Sequence, residues 1–503
     1  MNPLKKVAAL LILVLGVLGV LSPSSGAQTT SIEELRSAID LAVAEGDMPN
    51  SWWTILVRDA ETGWPLYEKD TGRSFIPASN TKLYTVASAL DVLGPDFRYE
   101  TTLWTDGEVV DGLLMGNLIV RGSGDPVIGG RFNDGDITET FRAWADSLKA
   151  RGIHRIKGDI IGDDDAFDNV SLGYGWQFDD LSYWYAAEIS ALSFNDNCVD
   201  FQLVAQQLNM PAELTWFPSM TSYISAENAS LTVEAGGSIQ EGYFREQGSN
   251  NYQFSSQVPL GRTDYESLTV SNPTTYFVHV LREILLSEGI SVSGSPVDVD
   301  AITLKPDYES LDRLFTYHSP PLRDIVRVLL KRSQNLYAEQ ILRTIGVESP
   351  VHDSDLEPGS AEMALARARQ VYGAAGVDTL RLQLVDGSGL ARQNLVTSTM
   401  TANLLSFMYN HPDSATRDAF IEALPIAGVD GTLASRMNGT PAEGNVRAKT
   451  GTLGNASALS GFVTTSAGTE LIFSIMANHY TESSARPRAL QDRILIILAS
   501  HNR

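Results

Sequence analysis

The chain has 503 residues, 43% of them hydrophobic and 19% charged, with a formal net charge of −24. That length exceeds one ordinary core and predicts two or three domains, while the acidic excess excludes a nucleic-acid partner and favours solubility. The single cysteine, Cys198, excludes an internal disulfide and a zinc–thiolate cluster.

The N-terminus pairs Lys5 and Lys6 with an apolar run from Val7 to Leu21, followed by small residues up to Ala27. The run is shorter than the ~20 residues that span a bilayer. It reads as an export signal over residues 1–27, cut after Ala27, and Cys198 lies too far away to be a lipoprotein attachment site. The mature protein is expected outside the cytoplasmic membrane, soluble or in peripheral contact with it.

A helical stretch is expected at Ile32–Ala44. Runs at Trp52–Arg58 and Trp64–Glu68 then flank the hairpin signal Asp59-Ala60-Glu61-Thr62-Gly63. Next comes Ile76–Leu83, which opens a helix. Leu83, Val86, Ala87, Leu90 and Leu93 form its apolar stripe, and Gly94-Pro95 stops it. From Tyr99 the texture turns to short alternating runs, so residues 99–295 read as inserted material. A helix is expected there at Ile137–Arg151, with strands at 158–162, Val199–Val204, Glu213–Phe217, Ser230–Val233 and Leu268–Val270. Asp163–Asp165 reads as a solvated loop or cap, and the Trp/Tyr run at 176–185 as core. Helical texture returns at Leu322–Ile345, interrupted at Ser333-Gln334-Asn335, whose short polar side chains compete with the backbone. Helices at Ala361–Tyr372 and Met400–Tyr409 flank Asp386-Gly387-Ser388-Gly389-Leu390, which reads as a structural turn. Strands at Ala456–Thr465 and Thr469–His479 and a helix at Ala485–Ser500 close the chain. The N-terminal hairpin and these last strands can share one antiparallel sheet, which would bring Ser79 close to Lys449.

Three short motifs carry the chemistry. Ser79-Asn80-Thr81-Lys82 places a hydroxyl and an amine on one helix face at i, i+3, at the positive end of the helix. A serine hydroxyl needs a base, and a lysine serves if burial and a nearby cation make its neutral form accessible. Lys449, in Lys449-Thr450-Gly451-Thr452, can supply that second charge. Lysine is scarce, nine in all, and two of the nine fall in these motifs. Ser333-Gln334-Asn335 is a weaker signal, since Ser193-Phe194-Asn195 and Ser249-Asn250-Asn251 have the same form; its helical setting and its place between the other two motifs select it. No G-x-S-x-G elbow occurs, which weighs against a Ser-His-Asp hydrolase. None of the seven histidines forms a spaced metal pair, so neither a metal nor another cofactor is expected.

The ordered set S-x-x-K, S-x-N, K-T-G resembles that of the class C low-molecular-mass penicillin-binding proteins, the D-alanyl-D-alanine carboxypeptidase/endopeptidase family. Gly124-Asp125-Pro126, Ala187–Ser193, Asp386–Leu390 and Ala427–Leu433 also read like that family. The resemblance implies an α+β fold: a penicillin-recognising, β-lactamase-like domain with an antiparallel sheet flanked by helices, carrying two smaller inserted domains. The expected partition is a catalytic domain of residues 28–98 and 296–503, a β-rich insertion of 99–122 and 197–295, and a second insertion of 123–196. By the same analogy Ser193-Phe194-Asn195 belongs to an insertion and not to the active site.

The implied roles are Ser79 as nucleophile, Lys82 as its base, Ser333 as proton relay, and Asn335 as orienter of Lys82 and the substrate. Lys449, Thr450 and Thr452 would bind the substrate carboxylate, with Gly451 between them as a further substrate-binding residue, and the N–H groups of Ser79 and Thr452 would form the oxyanion hole. The implied partners are peptidoglycan stem peptides ending in D-Ala-D-Ala, with β-lactams as inhibitors, in the periplasm or cell envelope of a bacterium. Two other readings stand beside this one. A β-lactamase on the same scaffold lacks a clear deacylating glutamate here, and a non-enzymatic wall-binding protein would not need the intact motif residues.

Overall fold

The computed structural model describes residues 31–502 except 47, 220 and 353. The expected export signal, residues 1–27, lies outside the described residues.

The two ends of the chain build one five-stranded antiparallel sheet. Its strand order is Pro65–Lys69, Trp52–Asp59, Glu470–Asn478, Ala456–Thr464, Arg447–Leu453. Trp52 pairs with Asn478 and Asp59 with Leu471, so the hairpin and the closing strands share one ladder, as the sequence led us to expect. Alternation along the strands sends Ile55, Val57, Leu459 and Ile475 to one face, where the helices Ile32–Glu45 and Ala485–Ala499 cover them. Leu56, Ala458, Phe462 and Met476 face the other way, onto the helices Thr81–Leu93, Leu322–Arg332, Asn335–Glu348, Ala361–Ala374, Ser398–Tyr409 and Ser414–Ala423. With both faces covered, the central strands are buried along nearly their whole length. Each fully buried apolar side chain contributes roughly 1.5–3 kcal/mol.

The helix Leu322–Arg332 buries Leu322, Ile325, Val326, Leu329 and Leu330 and stops at Ser333, whose φ is +60°. The break expected from Ser333-Gln334-Asn335 is therefore a left-handed residue between two helices.

Strand pairing divides the insertion differently from the expected partition. One sheet runs Pro296–Asp298, Ile160–Asp163, Leu118–Arg121, Glu100–Thr105, Asp312–His318. Leu118 pairs in parallel with Ile160 and Arg121 with Asp163, so 123–196 is not separate from 99–122. Asp312–His318 pairs with Glu100–Thr105, so the insertion extends past residue 295. Parallel partners are joined by long crossovers, here through the helix Glu139–Ala150, and a change of sequence texture does not show which strands such a crossover will pair. The strands from Cys198 to Thr269 form small sheets of their own, including Glu213–Phe217, Cys198–Val204, Thr263–Thr269. The helix Pro273–Ser287 lies within material read as β-rich; its start signal is Asn272, which caps Thr275 N–H, followed by Pro273. Asp163–Asp165 is not simply a solvated cap, because Asp163 is buried and accepts a hydrogen bond from Tyr308.

Candidate active site

Ser79 lies in the short 3-10 turn Ala78–Asn80 that leads into the helix Thr81–Leu93. Ala78 has φ of +47°, a left-handed conformation that alanine adopts only when its surroundings hold it there. The restraints are visible. Asn80 Nδ2 donates to the Lys449 carbonyl at 2.8 Å. Ile76 N–H donates to Asn478 Oδ1 at 2.7 Å. Gly451 comes so close that a Cβ on it would lie 2.5 Å from the Pro77 carbonyl oxygen. The edge strand Arg447–Leu453 is therefore locked onto the nucleophile turn.

Lys82 is 0% exposed. Its Nζ lies 3.0 Å from Ser79 Oγ, 2.6 Å from Asn335 Oδ1 and 2.6 Å from the Ser388 carbonyl. Asn335 opens the helix Asn335–Glu348 and donates its Nδ2 to the Tyr185 carbonyl at 2.6 Å, which fixes its Oδ1 on Lys82. Lys449 is equally buried, and its Nζ donates to Ser333 Oγ and to the Thr450 carbonyl, both at 2.8 Å. Thr450 Oγ1 donates to Thr432 Oγ1 at 2.8 Å, and Arg488 reaches Thr452 Oγ1 at 3.3 Å. The residues singled out from the three motifs thus converge from three separate parts of the chain.

Burial draws Lys82 down to about 7, against the opposing pull of Asp386 and then Glu339. Lys449 is pushed well below the ordinary lysine value, first by burial and then by the Lys82 charge. Burial is the first cause at both amines, and the repulsion between them, which is reciprocal, adds to it.

Two features escaped the sequence reading. The turn Asp386–Leu390 is structural, as expected, yet its Ser388 carbonyl touches the Lys82 amine, and a backbone acceptor leaves no side-chain signature. Glu339 binds that turn from beneath, accepting from Ser388 N–H at 2.8 Å. The Trp/Tyr run at 176–185 is not core: Tyr174 beside it is 70% exposed, Phe178 68% and Trp184 39%. The run roofs the site instead, and Trp176 Nε1 donates to Asp386 Oδ2 at 3.2 Å. Ser193-Phe194-Asn195 lies outside the cluster around Lys82, but the adjoining Asp196 accepts from Gln334 Nε2 at 2.9 Å, docking the insertion on the S-x-N segment. A groove of about 1230 Å³ opens beside Gln334 and Thr432, walled by Arg131, Asp196, Lys331 and Arg332. Among the described residues no group of three His, Cys, Asp or Glu side chains is placed to hold a metal.

A buried lysine against a serine in a strained turn can activate that hydroxyl as a nucleophile, and a second lysine and two threonines stand on the adjoining sheet edge. The comparisons agree with this geometry. The family model described as the D-Ala-D-Ala carboxypeptidase 3 (S13) family matches residues 35–500. The chain is 34% identical to a D-alanyl-D-alanine carboxypeptidase of Actinomadura sp. (strain R39), over 97% of this chain and 88% of that protein. It is 27% identical to D-alanyl-D-alanine carboxypeptidase DacB of Haemophilus influenzae, over 81% of each. Its fold is similar to the crystal structure of penicillin binding protein 4 (dacB) from Haemophilus influenzae, with a TM-score of 0.75 at 23% identity, covering 93% of this chain and 98% of that one. Since the family match runs from the first helix through the insertion to the closing helix, the chain belongs to the D-Ala-D-Ala carboxypeptidase 3 (S13) family and is a serine-type D-Ala-D-Ala carboxypeptidase.

Proposed function

We propose that the chain cleaves the terminal D-Ala-D-Ala bond of peptidoglycan stem peptides through an acyl-enzyme on Ser79, with Lys82 as the base. The observation behind this is the Lys82 amine, fully buried and 3.0 Å from Ser79 Oγ. Neutral Lys82 takes the hydroxyl proton as Oγ attacks the carbonyl carbon. Negative charge then develops on the carbonyl oxygen, where the N–H groups of Ser79 and Thr452 stabilise it. The C–N bond breaks as Ser333, held by Lys449, relays to the leaving D-alanine nitrogen the proton that Lys82 took, which leaves Lys82 neutral and the Ser333 hydroxyl intact. Thr450 and Thr452 receive the substrate carboxylate, and its charge draws Lys449 back to the ammonium form. Water releases the acyl group by the reverse sequence of proton transfers. β-Lactams enter the same path and are held as the acyl-enzyme.

The groove beside Gln334 and Thr432 adjoins Ser333 in sequence without containing the catalytic side chains; a cross-linked peptide seated along it would make the enzyme an endopeptidase as well. The N-terminal Lys5–Leu21 pattern supports an exported enzyme, soluble or peripherally bound at the envelope.

The test is incubation of the purified enzyme with fluorescent penicillin and with a stem peptide ending in D-Ala-D-Ala. A lasting label that disappears in Ser79→Ala, together with release of D-alanine, is the expected result. Rapid penicillin turnover without peptide cleavage would identify a β-lactamase, and the absence of any label would refute acyl transfer.

A further inference from the structure

Neutral Lys82 serves as a base only if its lone pair, and not an N–H bond, faces Ser79. Of the three neighbours of Nζ, Asn335 Oδ1 and the Ser388 carbonyl only accept, so a neutral amine commits its two N–H bonds to them. Its lone pair then turns to the Ser79 hydroxyl, the one neighbour able to donate. Asn335 is held by Tyr185. The Ser388 carbonyl belongs to a turn, and its direction is set by whatever holds that turn.

Glu339 stands four residues after Asn335 on the same helix, so both side chains leave one face. It is 2% exposed. Its Oε1 accepts from Gly387 N–H at 3.1 Å and Ser388 N–H at 2.8 Å, and its Oε2 accepts from Gly387 N–H at 3.0 Å. From the opposite side Thr85, three residues after Lys82, donates Oγ1 to the Gly387 carbonyl at 2.7 Å. We infer that Glu339 is a positioning residue for acyl transfer: by gripping the Gly387 and Ser388 peptide units it aims the Ser388 carbonyl at Lys82 and so directs the amine lone pair at Ser79. The inference rests on Lys82 being the base.

Its charge acts on the same amine. The charged groups facing Lys82 are Glu339 on the helix Asn335–Glu348, Asp386 in the turn and Lys449 on the edge strand. The two carboxylates oppose the effect of burial on Lys82. Burial, and then Asp386, push Glu339 itself up to about 7.

The experiment is acylation of the purified enzyme by fluorescent penicillin, followed from about pH 5 to about pH 10. Glu339→Gln removes a charge and turns an N–H toward backbone N–H groups. Expected are a plateau rate about tenfold lower or less, an acid limb about one pH unit lower, and a KM for the stem peptide within about twofold of wild type. Thr85→Val removes the opposing support without changing charge, so the plateau falls while the acid limb stays in place. A purely structural Glu339 would lower Tm and the labelled fraction but leave the acid limb and the rate per labelled site unchanged, which overturns the inference. Should Glu339→Gln fail to fold, a wild-type plateau in Thr85→Val overturns it. A wild-type enzyme that takes no label fails the proposed function instead, so the two failures are distinct.

Discussion

Gly389→Ala measures how tightly the turn Asp386–Leu390 governs the nucleophile. Gly389 has φ of +83°, and a Cβ on it would lie 2.0 Å from the Ala78 carbonyl oxygen and 2.5 Å from the Ala78 carbonyl carbon. Ordinary contact begins at 3.4 Å, so one segment must retreat by more than about 1 Å. Ala78 immediately precedes Ser79 and already holds a left-handed φ of +47°, so the displacement passes to the nucleophile. A misplacement of about 1 Å lowers catalysis on the order of 10²-fold. Left-handed alanine adds about 1–2 kcal/mol of strain. Gly376→Ala is the control: its φ is +71°, but its Cβ would meet only Asn403 Nδ2, at 3.8 Å. It should show the strain as lost stability and acylate within about twofold of wild type. Stopped-flow acylation by fluorescent penicillin, alongside thermal unfolding, separates the two effects. Wild-type acylation in Gly389→Ala, or an equal loss in Gly376→Ala, refutes the steric argument.

Acylation by the wild-type enzyme should rise with pH through a limb near the Lys82 value of about 7, because the neutral amine is the reactive form; about a tenth of the plateau remains one unit below, and a flat rate profile would contradict Lys82 as base. The same amine titrates in the fold below the ordinary lysine value of 10.5, so between about 7 and 10.5 the unfolded chain binds the extra proton and stability rises with pH; chemical unfolding should show the wild type gaining about 4–5 kcal/mol relative to Lys82→Met across that window. Lys449→Ala frees Ser333 and loses a carboxylate partner, so penicillin acylation should fall about 10²-fold while the acid limb moves little, since burial sets Lys82; a large shift in the pH–rate profile would restore the cation's role. Arg343→Met strands the buried Asp168 carboxylate and removes a donor to the Val170 carbonyl at 2.6 Å, which should cost about 3–5 kcal/mol in urea unfolding.

The site was legible where its chemistry is written in side chains at short spacing. Ser79 and Lys82 share a helix turn, Ser333-Gln334-Asn335 breaks a helix, and Lys449 lies in a strand that leads into the two apolar closing strands. The meeting of Ser79 and Lys449 could be anticipated because antiparallel strands at the two chain ends had matching patterns. Other features lack such marks. Ser388 contributes a carbonyl that any residue would supply, and Glu339 sits on a helix buried almost all round, where spacing no longer separates the faces. The division of the insertion depends on Leu118–Arg121 choosing Ile160–Asp163 across an intervening helix, a pairing decided by tertiary packing. The aromatic run from Trp176 to Tyr185 was expected inside on composition alone; it is largely exposed and touches the site through Trp176 on Asp386 and the Tyr185 carbonyl on Asn335.

The clamp on Ile76 also bears on when the enzyme becomes active. Ile76 N–H and carbonyl are both bound by the Asn478 side chain, 402 residues further on. A chain emerging from the ribosome presents Ser79 long before Asn478. Throughout that interval the serine lacks the strand that seats its turn, as well as Lys449 and Gly451. Contacts of such sequence separation form late in folding. A chain that stops short of Asn478 therefore carries an ordinary alcohol, and the reactive nucleophile arises only once that strand has docked on the Ser79 turn.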